Sequence, residues 1–207
     1  MMRLCTGDTQ RFIAKCMPAD CQDNMGAAER RWAAIYAANS TSSMYKIILK
    51  HIPKGFSILE MGCSAGNLQH DNMLMGVDMS FPALTYAKRK SPNVRYVLAD
   101  ISQGRFSTHD VVVALNMLDV VEPHVLLKSM ISHATRYIVL SDPYDYSRGE
   151  STVKTPMDSI TIREHIQHLG FQISDDTAQP SFVPWEIRIN SRTSVRYLVD
   201  IIVAKRV

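Results

Sequence analysis

The chain has 207 residues, 46% of them hydrophobic and 21% charged, and a formal net charge of +3 at pH 7. These values are typical of one globular domain with a buried core, and the charge is too small and too evenly spread to indicate nucleic-acid binding. No stretch reaches the roughly 18 apolar residues of a membrane-spanning helix, so we expect no membrane partner. The first residues lack the apolar core of a signal peptide, which favours a cytoplasmic location.

Neither the cysteines nor the histidines indicate a metal site. The four cysteines are Cys5, Cys16, Cys21 and Cys63, and no pair has the two-residue gap of zinc knuckles. His165 and His168 share a helix face, but no third ligand accompanies them. We therefore expect free thiols and no bound metal.

The region before residue 56 is predicted to be an irregular arm followed by helices. Residues 1–26 have weak periodicity and form the arm. The segment AAERRWAAIYAANS then places Trp32 and Tyr36 on one helix face, and a second helical segment ends at Pro53. We interpret residues 27–53 as a helical lid, although the same apolar stripe is also typical of a helix packed in the core.

Residues 56–207 alternate between short apolar runs and amphipathic segments. The runs FSILEM, LMGVD, VRYVLAD, DVVVALN and RYIVLSD are predicted strands. One intervening helix has Ser80 as a candidate cap and Pro82 in its first turn. The last two strands, FVPWEIRI and YLVDIIVAKRV, are joined by a short polar loop and are therefore antiparallel. The pattern predicts an α/β fold with a doubly wound, mostly parallel sheet whose final strand is antiparallel.

The connection between the first two strands is short. Seven residues, 67–73, separate a glycine-containing loop from the second strand. A helix of that length spans only about 10 Å. We expect a stub of helix plus extended chain there.

Polar residues end the predicted strands. They are Glu60, Asp78, Asp100, Asn116 and Asp142. Ligands of doubly wound sheets bind beyond the carboxyl ends of the strands, so these side chains are expected to face one crevice. Each of them alone is also an ordinary turn or cap residue.

The chemistry of this edge suits a purine nucleoside. A carboxylate after the second strand accepts hydrogen bonds from ribose hydroxyls, and one after the third accepts from an exocyclic amine. Gly62 and Gly66 in the loop SILEMGCSAGN allow close approach of the backbone, and we expect N–H groups there to be free for a carboxylate or phosphate. A tight strand-to-helix turn without a ligand is the alternative.

Four stretches resemble, in order, the motifs of the class I S-adenosylmethionine-dependent methyltransferases. They are ILEMGCSAG, MGVDMS, YVLADI and DVVVALNMLDVVEP, and the antiparallel end of the chain is similar too. The resemblance covers roughly residues 45–207. It implies a Rossmann-like fold, S-adenosyl-L-methionine as cofactor, and transfer of a methyl group to a small-molecule or peptide acceptor.

The resemblance also implies roles for individual residues around the donor. The loop residues would line its methionine end, Asp78 would hold the ribose, Asp100 would contact the base, and Asn116 would lie beside the sulfonium. The full set of implied donor-binding residues is Glu60, Gly62, Cys63, Ser64, Gly66, Asp78, Met79, Asp100, Ile101 and Asn116.

The acceptor side is less defined by the sequence. Tyr144 and Asp145, in the segment SDPYDYSRGE, are candidate catalytic residues because they have groups able to orient an acceptor or remove its proton. A turn that covers the sheet edge is the alternative interpretation.

Two other functions stay open at this point. The glycine loop and Asp78 are also compatible with a nicotinamide-dependent oxidoreductase, although the usual third glycine is missing. A methyltransferase-like binding subunit without its own activity is the non-enzymatic alternative.

Overall fold

Two helices precede the sheet, as their apolar spacing predicts. The computed structural model describes residues 26–40, 42–68, 74–147 and 153–207. Within these ranges, α1 spans Ala27–Ala38 and α2 spans Ser43–Lys50. The predicted arm lies outside the described residues except for Gly26, and so do Cys5, Cys16 and Cys21.

Strands and helices then alternate along the chain. The elements are β1 (Ile58–Met61), β2 (Leu74–Asp78), α3 (Phe81–Lys90), β3 (Arg95–Leu98), β4 (His109–Leu115), α4 (Pro123–His133), β5 (Ala134–Asp142), α5 (Ser159–His168), β6 (Phe171–Ile173), a 3₁₀ turn (Asp175–Thr177), β7 (Val183–Arg188) and β8 (Ser194–Arg206). The seven strands expected from the sequence are present. Strand β6 was not predicted, because three residues are too few to show an alternation.

The predicted helical stub in the first crossover lies mostly outside the described residues. Its first two residues, Asn67 and Leu68, belong to no helix or strand. Beyond the crossover, α3 begins as predicted. Ser80 caps it by accepting a hydrogen bond from the backbone N–H of Ala83, and a proline lies in the first turn.

The sheet has the predicted topology. Its strand order is β3-β2-β1-β4-β5-β8-β6. Strands β1 to β5 are parallel to one another, whereas β8 is antiparallel to both β5 and β6. The fold is therefore α/β with a doubly wound, mostly parallel sheet and an antiparallel final strand.

The long strand β8 extends beyond the carboxyl edge of the sheet. Asp142, the last residue of β5, pairs with Asp200 in the middle of β8. Residues 194–199, which precede Asp200, pair instead with β7. Because β8 runs antiparallel to β5, this β7–β8 hairpin projects past the end of the parallel strands.

Helices cover both faces of the sheet. Alternate residues of β4 point to opposite sides, so Val111 and Val113 pack with Ile48 of α2, whereas Val112 packs with Leu126 of α4. This burial on both faces explains why the central strands are continuous apolar runs. The polar residues that follow the strands are left at the edge.

Candidate functional site

A cleft of about 570 Å³ lies at the carboxyl edge of the sheet. Its walls come from the ends of β1, β2 and β4, from α1 and α2, and from the β7–β8 hairpin. Six of the residues implied by the resemblance line it: Glu60, Gly62, Cys63, Ser64, Asp78 and Asn116. The structure thus brings together side chains from three strands, as expected for a doubly wound sheet.

The glycine loop is folded back onto β2. The backbone N–H groups of Gly62 and Cys63 both donate to the carbonyl of Val77, at 2.8 and 3.0 Å. The N–H of Gly66 donates to the carbonyl of Cys63, and that of Ser64 donates to Asp78. The expectation that these N–H groups are free for a ligand anion was therefore wrong, because the loop satisfies them within the chain.

Asp78 combines a structural contact with a place in the cleft. Its two carboxylate oxygens accept hydrogen bonds from the backbone N–H groups of Ser64, at 2.7 Å, and Ser80, at 2.8 Å. Burial raises the pKa of this carboxyl group, and the two N–H donors oppose that shift. Each carboxylate oxygen has a second lone pair, so Asp78 can still accept from a ligand hydroxyl.

Glu60 is a buried carboxyl group in the wall of the cleft. It is 3% exposed, and its Oε2 atom has no hydrogen-bond partner within the described residues. Burial, followed by the nearby charge of Asp78, raises its pKa well above the usual range, while Lys90 acts in the opposite direction. The surroundings of Glu60 therefore disfavour the charged form of its carboxyl group.

Asn116 lies on the neighbouring strand end. Its Oδ1 atom is buried and unpartnered within the described part of the chain. Its backbone has φ of 56°, and Ser64 after β1 has φ of 46°. Such left-handed conformations are uncommon outside glycine, so backbone strain is concentrated where the strands end at the cleft.

The two loop glycines have different roles. A Cβ at Gly62, which has φ of +75°, would lie 2.2 Å from the sulfur of Met117, a residue that lines the cleft. Gly66 does not line the cleft. With φ of +64°, it packs against α3 and β3, and a Cβ there would lie 2.9 Å from the Cβ of Ala87 and 2.7 Å from the hydroxyl of Tyr96. Gly66 is therefore explained by packing beneath the loop.

The residues implied for the base lie beside the cleft rather than in its lining. Met79 is 73% exposed, while Ile101 is packed in the core on the α4 side of the sheet. The carboxylate of Asp100 accepts hydrogen bonds from Ser102 and Gln103 and so closes the turn after β3. Their contact with an adenine ring remains a prediction.

The candidate catalytic residues are not among those that line the cleft. The hydroxyl of Tyr144 donates to Asp200 at 2.9 Å, and this carboxylate also accepts two hydrogen bonds from the guanidinium of Arg163. Burial, followed by the charge of Asp200, raises the pKa of Tyr144. Asp145 accepts hydrogen bonds from Ser147 in an adjoining turn. The contacts of Tyr144 are those of a buried structural network.

Sequence reasoning found only the α1 half of the aromatic wall of the cleft and missed the half on the β7–β8 hairpin. The rings of Tyr36 and Trp185 stack with their centroids 6.5 Å apart, Trp32 lies 5.9 Å from Tyr36, and Tyr197 lies 5.4 Å from Trp185. All four line the cleft. Trp185 and Tyr197 alternate with exposed residues in β7 and β8, which predicts a buried face but not what that face covers.

Asn67 joins the two N-terminal helices to the glycine loop. Its amide group donates to the carbonyl of Tyr36, at 2.9 Å, and to the hydroxyl of Tyr45, at 3.4 Å. Its amide oxygen accepts from Lys90 at the end of α3. Burial raises the pKa of Tyr45 to about 12, so its hydroxyl stays protonated at neutral pH.

A second polar contact holds the end of α1 on the hairpin. Asn39 donates to the carbonyl of Arg188 and accepts from its N–H at 2.8 Å. At the other end of α1, Glu29 accepts a hydrogen bond from Ser80. Helix α1 therefore closes one side of the cleft, and hydrogen bonds near each of its two ends hold it there.

The described residues contain no group of three or more His, Cys, Asp or Glu side chains placed to hold a metal ion. Cys63, the cysteine within these ranges, is buried as a free thiol. No helix among them is long and apolar enough to cross a membrane.

Comparison with known proteins adds one curated relative. No family model matches the chain. Carboxy-S-adenosyl-L-methionine synthase from Campylobacter concisus is 32% identical in an alignment of 89 residues, which covers 38% of this chain and 38% of that protein. The match thus spans well under half of either protein.

Solved structures resemble the chain over most of its length. A TehB-like SAM-dependent methyltransferase from Corynebacterium glutamicum has a TM-score of 0.62 at 17% identity, covering 92% of this chain and 100% of that one. Magnesium protoporphyrin IX methyltransferase from Synechocystis, with bound SAM, has a TM-score of 0.55 at 16% identity, covering 96% and 89%. The N-methyltransferase NodS from Bradyrhizobium japonicum, in complex with S-adenosyl-L-homocysteine, has a TM-score of 0.58 at 13% identity, covering 79% and 85%. The chain therefore has the Rossmann-like fold of the S-adenosylmethionine-dependent methyltransferases.

Proposed function

We propose that the protein is an S-adenosylmethionine-dependent methyltransferase that binds its donor in the cleft. One observation carries the proposal. Glu60 Oε2 and Asn116 Oδ1 are buried acceptors without a partner in the described residues, and both line the cleft from adjacent strands. Unpaired buried acceptors are costly, so their presence together favours a ligand that brings donor groups. The ammonium group of a methionine moiety has that chemistry.

The remaining donor contacts follow from the same edge of the sheet. Asp78 has lone pairs available for ribose hydroxyls, and Gly62 lets Met117 of the cleft lining pack directly on the loop backbone. Cys63 and Ser64 complete the wall beside them. We keep Met79, Asp100 and Ile101 as the proposed surroundings of the adenine ring, with Ile101 acting through its backbone because its side chain is in the core.

The proposed catalysis depends on positioning. The sulfonium of the donor supplies an electrophilic methyl group, and an in-line attack needs the acceptor to be held at a fixed angle and distance. The contacts of Asn39 and Asn67 hold α1 and α2 over the cleft, where they exclude water from the reacting atoms. In this sense residues 27–53 are the proposed lid.

The acceptor is proposed to be a small molecule or a peptide. The name of the curated relative contains a derivative of the same sulfonium nucleoside, which supports the class of ligand but leaves the acceptor undefined. The part of the cleft toward the β7–β8 hairpin is the proposed acceptor side.

Calorimetric titration with S-adenosylmethionine, S-adenosylhomocysteine and NAD, each in parallel, tests the proposal. We expect micromolar binding of the two sulfur nucleosides and none of NAD. Binding of NAD alone would instead support the oxidoreductase alternative. Donor binding without formation of S-adenosylhomocysteine in the presence of any acceptor would support the binding-subunit alternative.

A further inference from the structure

The cleft changes character along the strand order of the sheet. Its lining passes from Asp78 on β2 to Glu60 on β1, then to residues 115–120 after β4, and ends at the β7–β8 hairpin. The first part is polar. The hairpin part is formed by two aromatic rings and three aliphatic side chains: Trp185, Tyr197, Ile187, Ile189 and Val195. A ligand held at this end therefore contacts mostly apolar and aromatic surface.

The aromatic surface is continuous and held in place. Trp185 is 4% exposed and lies between the rings of Tyr36 and Tyr197. Its stack with Tyr36 has an interplanar angle of 2°. The faces and edges of such rings favour flat apolar groups, and their π-electrons attract cations.

The charge of the lining points to one class of acceptor. Among the described residues that line the cleft, three are acidic, namely Glu60, Asp78 and Asp119, and none is Lys, Arg or His. Asp119 is 9% exposed. In the sequence it follows β4 and lies after Asn116 and directly before the apolar Val120. An anionic acceptor such as a carboxylate or phosphate would find no cationic side chain in the described lining and would lie near the charge of Asp119, which is unfavourable.

We propose that the hairpin end of the cleft binds a small amine whose apolar or aromatic body packs on Tyr197, which Trp185 supports from behind, and whose nitrogen lies toward Asp119. This inference rests on the proposed function and names the acceptor class. The cleft holds the donor as well, so its volume of about 570 Å³ restricts the acceptor to a compact molecule.

The reaction of such an acceptor balances without any further reagent. The bound ammonium gives one proton to the carboxylate of Asp119, which frees the lone pair on nitrogen. That lone pair forms the new N–C bond while the C–S bond breaks and leaves its electron pair on sulfur. The products are the methylated ammonium ion, S-adenosylhomocysteine and one proton, which Asp119 releases to water.

Intrinsic fluorescence offers a direct measurement of binding. The chain has two tryptophans, and both line the cleft. With S-adenosylhomocysteine at saturation, the emission is titrated with benzylamine, 2-phenylethylamine and cyclohexylmethylamine, and with the alcohol and carboxylate of each carbon skeleton. We expect the amines to bind at least tenfold more tightly than their matched alcohols and carboxylates, and to be the compounds methylated when S-adenosylmethionine replaces the product.

Three variants test the residues. Tyr197→Leu should weaken amine binding about tenfold, which corresponds to the upper range of a contact between two aromatic rings, whereas Tyr197→Phe keeps the ring and should stay within about twofold. Asp119→Asn removes the proposed proton acceptor and should weaken amine binding and lower kcat. All three should bind S-adenosylhomocysteine like the unsubstituted protein. Because Tyr197 is only half-buried, these variants test the wall without removing the core residue Trp185.

The outcomes separate the two proposals. Failure of both sulfur nucleosides to bind overturns the proposed function. Normal donor binding combined with equal or tighter binding of the alcohols or carboxylates, or with no methylation of any amine in the series, overturns the amine inference alone.

Discussion

The carboxylate of Asp78 and the backbone N–H of Ser64 form a hydrogen bond of 2.7 Å that joins the end of β2 to the glycine loop. The other carboxylate oxygen holds the N–H of Ser80 at the start of α3. A residue that the sequence marks as a ligand for ribose therefore also fixes the loop and the helix on either side of it. Its two roles have to be separated experimentally.

Replacing Asp78 tests both roles. Asp78→Ala removes the proposed ribose contacts and should weaken S-adenosylmethionine binding by about ten- to a hundredfold, as expected for charge-assisted hydrogen bonds. Asp78→Asn keeps an acceptor for Ser64, and its dissociation constant in calorimetry should lie between those of the unsubstituted protein and of Asp78→Ala. Glu164→Ala, an exposed change of the same charge on α5, is the matched control. A dissociation constant within twofold of the original for Asp78→Ala would remove Asp78 from the donor site.

Glu60 should favour ligand binding at the expense of stability. Because burial raises its pKa, the folded protein binds a proton more tightly than the unfolded chain does, and stability from this group falls as the pH rises above the usual range of glutamate. Glu60→Gln should therefore raise the Tm of the ligand-free protein at pH 7 more than at pH 4, while weakening donor binding. Thermal denaturation across this pH range checks it, and an equal change in Tm at both pH values would contradict the assignment.

Gly66 should matter for folding and Gly55 much less. Both have positive φ, but a Cβ at Gly66 meets Ala87 and Tyr96, whereas a Cβ at Gly55 has no atom within 4 Å. Gly66→Ala should therefore lower the free energy of unfolding by about 1–3 kcal/mol more than Gly55→Ala, the usual cost of overpacking. Urea denaturation of the two variants gives this difference directly. Equal losses would mean that backbone conformation alone explains Gly66.

Tyr144 should act on stability through Asp200. Burial alone would raise the pKa of Asp200, but hydrogen bonds from Arg163, from the N–H of Ser181 and from Ser159 outweigh it and hold the pKa below the usual range. This carboxylate therefore stabilises the fold at neutral pH and loses that contribution as the pH falls. Tyr144→Phe removes one of its donors and should cost about 1–2 kcal/mol in urea denaturation at pH 7.

Kinetics of the same variant distinguish the two interpretations of Tyr144. Tyr137→Phe is a suitable control, because it removes a hydroxyl from a half-buried tyrosine near the start of β5, the strand that precedes Tyr144. If Tyr144→Phe is as stable as Tyr137→Phe but has a much lower kcat, the catalytic role suggested by the sequence would be restored.

Asn67 should control the closure of the N-terminal helices. Its amide is 7% exposed and contacts both helices, so Asn67→Ala leaves the carbonyl of Tyr36 and the hydroxyl of Tyr45 with fewer partners. Hydrogen exchange measured by mass spectrometry should show faster exchange in residues 27–50, with weaker donor binding. Asn39→Ala, which breaks the contact with β7 instead, should loosen the end of α1 without the same effect on donor affinity. Unchanged exchange in Asn67→Ala would argue against a closing role for this residue.

The order of the elements and the polar strand ends could be read from the sequence alone. The short apolar runs of β1 to β5, the cap at Ser80 and the short loop before β8 are local patterns, and local patterns are set by neighbours within a few residues. Parallel strands place their carboxyl ends at one edge, so five strand-end residues were expected to face one crevice. The cleft contains Glu60, Asp78 and Asn116, whereas Asp100 and Asp142 are not among the residues that line it.

The tertiary structure decided what those residues face. The hydrogen bonds that occupy the loop N–H groups, the packing of Gly66 on α3 and the burial of Tyr144 against Asp200 depend on partners from other elements. The aromatic wall shows this most clearly. Tyr36 and Trp185 stack although they belong to opposite ends of the chain. The nearby hydrogen bond between Asn39 and Arg188 joins residues that are 149 positions apart. Contacts over such distances follow from how the sheet orders its strands, and no periodicity within a single segment records them.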